Sequence, residues 1–185
     1  MDSKQTRLSP EFVIFGFLYQ QPGHGYELHR RLLDEFGYIW HLSQSQTYNI
    51  LKRLAHQGYI TSEVVEQEKL PVRQCFHLNE SGRRRFITWL ESPTKCSVHS
   101  IRVEFITRLY FIQRYQPAQI QDAVDAQIRE VELGLARLEQ IYTQIPEDQV
   151  FNSLALNLRI KLLRSILTWL EECHVFFSTQ QEDKP

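Results

Sequence analysis

The stretch from Glu11 to Gln20, EFVIFGFLYQ, is apolar around nearly its whole circumference: Phe12, Phe15 and Leu18 line one side, with Val13, Ile14 and Phe17 around them. A short helix of this kind has to be buried, so the chain must place other elements around it. The turn Gln21-Pro22-Gly23-His24-Gly25 stops it. A second helix then carries Leu28, Leu32 and Phe36 at i, i+4 and i+8 before Gly37 ends it.

The third helix has two different faces. Ser43 is its expected N-cap and Gly58 its C-cap, and between them Thr47 (through its methyl), Leu51 and Leu54 form one apolar stripe. The opposite face presents Gln44, Ser45, Gln46, Tyr48 and Asn49, followed by Lys52 and Arg53. Amides and hydroxyls of this kind pair with base edges or phosphates, and the two cations add affinity for a polyanion. The same residues also fit an ordinary solvated helix face.

Two short segments rich in Val, Ile and Phe follow, Ile60 to Glu66 and Val72 to Leu78, and they read as a two-stranded hairpin. Asn79 then caps a fourth helix running through Arg83-Arg84-Arg85 to Leu90, with Phe86, Trp89 and Leu90 on its apolar side. Three short helices, a hairpin and another helix within this span is the order of a winged helix-turn-helix.

The residues also carry a resemblance. The blocks FGFLYQQPGHGYEL (Phe15 to Leu28), SQSQTYNILKRLAHQGYI (Ser43 to Ile60) and PVRQCFHLNESGRR (Pro71 to Arg84), with their spacing, resemble the PadR family of bacterial transcriptional regulators. Gly16, His24-Gly25-Tyr26-Glu27, Tyr48, Leu51, Arg53, Leu54, Arg73, Phe76, Leu78 and Gly82-Arg83 stand at the matching places. The sequence departs from the family at Asn49 (usually Pro), Ser45 (commonly Gly) and Phe76 (Tyr).

The resemblance implies double-stranded DNA as partner, with the third helix in a major groove. On this reading Gln46 and Asn49 face bases, Gln44 and Ser45 pair with base edges or phosphates, and Tyr26, Tyr48, Lys52 and Arg53 are phosphate contacts. Lys69 at the hairpin tip and Arg73 on its second arm support them, although Glu63, Glu66 and Glu68 on the same hairpin repel phosphate. The formal net charge of −1 is no signature of nucleic-acid binding. It does hide a mild asymmetry: residues 1–95 carry 12 Lys and Arg against 10 Asp and Glu, and residues 96–185 carry 9 against 12.

Ser92 to Ser100 is the longest polar, small-residue interval, and the boundary belongs there. The expected organisation is mainly α with a small β-hairpin wing. A winged helix-turn-helix domain spans 1–92, a linker 93–100, a helical dimerisation domain 101–178 and a disordered tail 179–185. Beyond the linker, Val103, Ile106 and Leu109/Tyr110 share a helix face, and a long helix opened by Pro117 follows. Its Val124, Ile128, Val131, Leu135 and Leu138, continued by Tyr142 and Ile145, recur in steps of four and three, a heptad seam.

The last helix, from about Gln149 to Phe177, is apolar on more than one side through Leu156, Leu163, Leu167, Leu170 and their neighbours. A homodimer in which these two helices pack against a second copy would cover them. An intramolecular bundle fits the heptad equally well. The resemblance favours the dimer and implies a palindromic site, repression as the commoner role, and release by phenolic or hydrophobic molecules. Phe86 and Trp89 are the aromatic pair expected to receive such a small aromatic effector.

Catalysis finds little support in the residues. The seven histidines include no His-x-x-x-His pair, no Gly-rich phosphate loop or nucleophile elbow occurs, and Cys75, Cys96 and Cys173 are too far apart to suggest a metal pair or disulfide framework. No enzyme activity, cofactor or metal is expected. The N-terminus carries no secretory signal pattern and no apolar run is long enough for a bilayer, which points to the cytoplasm. The competing reading is a protein-interaction module built on a winged helix that has lost DNA binding.

Overall fold

A computed structural model of the chain describes residues 10–65 and 73–182. The molecule divides into two compact units, Met1–Ser92 and Pro93–Pro185.

In the first unit α1 (Glu11–Gln20) is the centre, as its all-round apolarity requires. Val13, Ile14, Phe15 and Phe17 are fully sealed from solvent. Packed against α1 are α2 (Gly25–Phe36), α3 (Gln44–His56), α4 (Glu80–Glu91) and the sheet. They contribute Leu28, Leu32, Phe36, Leu51, Leu54, Ile60, Phe76, Phe86 and Leu90 to the same core. Asn79 caps α4 by accepting the Gly82 N–H at 2.9 Å.

The hairpin arms are β2 (Ile60–Val65) and β3 (Arg73–Leu78), paired antiparallel from Ile60 opposite Leu78 to Val65 opposite Arg73. Residues 66–72, which include the expected tip residue Lys69, lie outside the described part of the chain. A strand absent from the sequence reading, β1 (Gly23–His24), pairs with β3 on its other edge, giving the sheet order β1-β3-β2. A two-residue strand has no alternation to read, and it forms because the turn after α1 runs alongside β3.

Phe86 and Trp89 do not form the open aromatic surface expected for an effector. Phe86 is fully buried and Trp89 is 8 % exposed. The Trp89 ring stacks on Phe12 at 4.5 Å between centroids and lies 5.9 Å from Phe86. Both residues sit on the core face of α4, where their area is consumed by packing against α1.

The second unit is helical. It runs through a short turn α5 (Val98–Ser100), a π-helical turn (Ile101–Phe105), α6 (Ile106–Tyr115), a 3-10 turn (Pro117–Gln119), α7 (Ile120–Tyr142) and α8 (Val150–Glu182). Because α8 continues to Glu182, residues 179–182 are helical where a disordered tail was expected.

The interval 93–100, read as a linker, packs within this unit. Thr94 is 1 % exposed; its hydroxyl accepts from Arg108 Nη1 at 2.5 Å and its carbonyl from Gln127 Nε2 at 3.2 Å. Arg108, 3 % exposed, also donates to Glu104 at 2.7 Å. Burial pulls its pKa down to about 10 while Glu104 opposes the shift, so it keeps its charge at neutral pH.

Most of the α7 heptad is satisfied inside one chain, although Tyr142 at the end of the helix stays exposed. Val124, Val131, Leu135 and Leu138 are buried, as are Leu163 and Leu170 of α8, because α7 and α8 pack on each other as an antiparallel pair joined by a short turn. These six cannot also form a surface for a second copy; of the expected dimerisation residues, only Ile128, Leu156 and Leu167 retain partial exposure.

Candidate nucleic-acid interface

The start of α3 is held by a reciprocal capping box: the Gln46 N–H donates to Ser43 Oγ at 3.2 Å, and the Ser43 N–H donates to Gln46 Oε1 at 2.8 Å. Its end is a Schellman turn. Gly58 takes φ +72°, with the Gly58 N–H bonded to Ala55 O and the Tyr59 N–H to Leu54 O, each at 3.0 Å. Between these stops Thr47, Ile50, Leu51 and Leu54 are buried. His29 Nδ1 of α2 lies 3.0 Å from Thr47 Oγ1, a directional tie between the two helices.

The face expected to meet DNA is open to solvent. Gln44, Ser45, Gln46, Asn49, Lys52 and Arg53 are all exposed, and Tyr48 is half-buried. Two of them have duties within the fold. Gln46 spends its side-chain oxygen on the capping box, so bidentate pairing with adenine would cost it that bond. Arg53 is turned toward α1, where its Nε and Nη2 lie 2.9 and 2.7 Å from Glu11 Oε1.

Beside this face opens a cleft of about 580 Å³ lined by His24, Tyr26, Glu27, Arg30, Tyr48, Val64 and Gln74. It exists because Gly25 lets the start of α2 meet α3: a Cβ at Gly25 would stand 2.7 Å from the Tyr48 ring. The structure thus brings Tyr26 and Tyr48 together, and adds Arg30, which sequence reasoning missed. Tyr26 and Arg30 are four apart on α2, so helical spacing was the available signal.

Glu27 is the cleft's opposing charge, and part of its capacity goes to accepting the His24 N–H at 3.2 Å. Nearby Cys75 is no thiolate candidate, because burial, with Glu63 and Glu27 contributing, raises its pKa. Lys69 lies outside the described residues, as does the Arg73 side chain, so neither joins the cluster. The Arg83-Arg84-Arg85 run is engaged locally: Arg83 covers the Tyr19 ring, Arg84 faces Glu80, and Arg85 reaches Glu11 and Tyr59. Among the described residues no group of His, Cys, Asp and Glu is arranged to hold a metal ion, and no helix is long and apolar enough to cross a membrane.

A helix-turn-helix with a two-armed wing, its second helix capped at both ends and polar outward, defines the first unit as a winged-helix domain. Residues 14–87 match the family described as Transcriptional regulator PadR-like family, and residues 101–175 match that described as Virulence activator alpha C-term. The first unit therefore carries a PadR-like domain, of a family of transcriptional regulators.

Among its relatives, the negative transcriptional regulator PadR of Bacillus subtilis (strain 168) is 24 % identical over 170 residues, 87 % of this chain and 93 % of that protein. A probable transcriptional regulator of Mycobacterium tuberculosis is 29 % identical over 81 residues, 44 % of this chain and 43 % of that protein. Solved structures similar to this one include Bacillus subtilis PadR in complex with operator DNA (22 % identity, 90 % of this chain and 98 % of that one, TM-score 0.45). The same Bacillus protein with p-coumaric acid is another (22 % identity, 91 % and 98 %, TM-score 0.41).

Proposed function

We propose that this regulator is a cytoplasmic repressor that binds a palindromic operator in double-stranded DNA as a homodimer, each protomer laying α3 into a major groove. The observation that carries the reading is the outward face of α3: Gln44, Ser45, Asn49 and Lys52 lie exposed on one capped helix, with the Tyr26–Arg30–Tyr48 cleft next to it. In this arrangement Asn49 reads a base edge, while Lys52, Arg30 and the two tyrosines hold phosphates and set register. Repression is supported by the negative regulator among the relatives.

Dimerisation rests on the apolar side chains that α8 leaves in solvent, Phe151, Leu154, Leu158 and Leu162, at steps of three and four. The sealed Phe86–Trp89 pair offers no seat for an effector, and none is assigned there.

Fluorescence anisotropy with the chain's own promoter DNA against a scrambled duplex, at two salt concentrations, tests the reading. Preference for the promoter with affinity falling steeply as salt rises is the expected result. A folded dimer that binds neither duplex would overturn it.

A further inference from the structure

We propose that Glu11 is a positioning residue for DNA reading: it sets the roll of α3 about its own axis by holding Arg53, and Arg53 is consequently not a phosphate contact. The proposal deepens the DNA-binding reading above and rests on it.

Glu11 opens α1, where a carboxylate is favoured by the exposed N–H groups of a helix start, and its side chain is only 10 % exposed. A buried carboxylate needs partners, and two guanidinium groups reach it from different elements. Arg53 of α3 engages Oε1 at 2.9 and 2.7 Å, and Arg85 of α4 stands 3.6 Å from Oε2. Arg85 is fixed in turn, donating to Tyr59 Oη at 3.0 Å with its guanidinium over the Tyr59 ring at 4.8 Å. One carboxylate thus joins α1, α3, α4 and the approach to β2.

The apolar stripe of α3 resists separation from the core, but dispersion contacts are nearly non-directional and do little to stop the helix rolling. Roll is fixed by directional contacts, and α3 has one near each end: Thr47 with His29, and Arg53 with Glu11. With side chains reaching about 5–6 Å from the helix axis, a 20° roll moves their tips by about 2 Å, more than a base-edge hydrogen bond tolerates. The phosphate contacts of flexible side chains tolerate it better.

The test compares Glu11→Gln, Arg53→Met and Lys52→Ala with wild type on promoter and scrambled duplexes across a salt series, with helicity and dimer state checked by circular dichroism and sedimentation. Glu11→Gln and Arg53→Met are expected to lower the promoter-to-scrambled affinity ratio by about tenfold and to leave the salt slope unchanged. The double variant should lose no more than either single one, because both remove the same ion pair. Lys52→Ala should reduce the salt slope and keep the ratio.

If Arg53→Met reduces the salt slope as Lys52→Ala does, Arg53 is a phosphate contact and the proposal fails. An unchanged ratio in folded Glu11→Gln also overturns it. Should Glu11→Gln not fold, Arg53→Lys decides: it retains the charge but loses the fork to Oε1, so the ratio falls if Arg53 positions the helix and holds if the charge alone matters. A wild-type protein that binds neither duplex removes the DNA reading itself, whereas wild-type discrimination that survives Glu11→Gln removes only the positioning role.

Discussion

The two units treat their apolar side chains differently. In the first, the exposed large apolar residues among those described are Tyr26, Leu33, Tyr38 and Val64, on α2, the turn after it and β2; its surface helix α3 turns amides, hydroxyls and cations outward. In the second, Leu133, Ile141, Tyr142, Val150, Phe151, Leu154, Leu158, Leu162, Val175 and Phe176 remain exposed among the described residues, and four of them form a stripe on α8. The first unit closes its own core and offers polar recognition; the second has apolar area left over after α7 and α8 have packed together. A domain of the first kind reads a ligand with hydrogen bonds, and one of the second kind is completed by another protein surface.

Introducing a charge on the stripe should break this contrast most severely. Leu158 is 59 % exposed in the protomer, so Leu158→Glu should leave the helix folded, convert dimer to monomer by sedimentation, and lower affinity for a palindromic duplex by about 10²–10⁴-fold because avidity disappears. Leu163, fully buried on the same helix, should behave otherwise. Leu163→Ala is expected to cost about 2–5 kcal/mol of stability in a denaturant titration and to shift the dimer far less. Equal effects of the two substitutions on oligomeric state would erase the distinction between inner and outer faces of α8.

In the first unit the equivalent probe is Phe86. With no exposure and rings of Trp89 and Tyr19 at 5.9 and 5.3 Å, Phe86→Ala should destabilise by about 3–5 kcal/mol. That destabilisation should be the same with or without small aromatic compounds in the buffer. Protection by such a compound in wild type that vanishes in the variant would restore Phe86 as part of an effector site.

What the chain order made legible was whatever is local. The caps at Ser43 and Asn79, the Gly58 stop and the stripe of α3 all depend on residues within one or two turns, and they stand where the pattern places them. Partners distant in sequence were not legible. A heptad states that a helix has a mate without saying whose, and Val124 to Leu138 found theirs in the same chain. Arg53 reads as a phosphate ligand beside Lys52, and nothing in the local pattern reveals Glu11, 42 positions away. Thr94 sat in a polar stretch that read as linker, yet Arg108 and Gln127 bury it, since a hydroxyl and a carbonyl supply the acceptors those donors need.

The smallest effects sharpen the comparison inside the reading face itself. Asn49→Ala should cost about 1–3 kcal/mol on the promoter duplex and almost nothing on a scrambled one, because only base contacts distinguish sequences. Gly25→Ala would press a Cβ against the Tyr48 ring and, by shifting a phosphate-holding side chain, should weaken both duplexes several-fold, on the order of 1 kcal/mol.

Lys52→Ala should be mildest at physiological salt, yet it is the cleanest of the three to interpret. Removing one cation from the DNA backbone per protomer should flatten the slope of log affinity against log salt by about 0.9 for each phosphate no longer neutralised. The deficit in affinity should shrink as salt rises, since the wild-type advantage comes from releasing counterions that concentrated salt returns. A Lys52→Ala slope equal to that of wild type would place Lys52 off the backbone path. The cation supply would then fall to Arg30 in the cleft, and the face turned to DNA would be rotated toward α2.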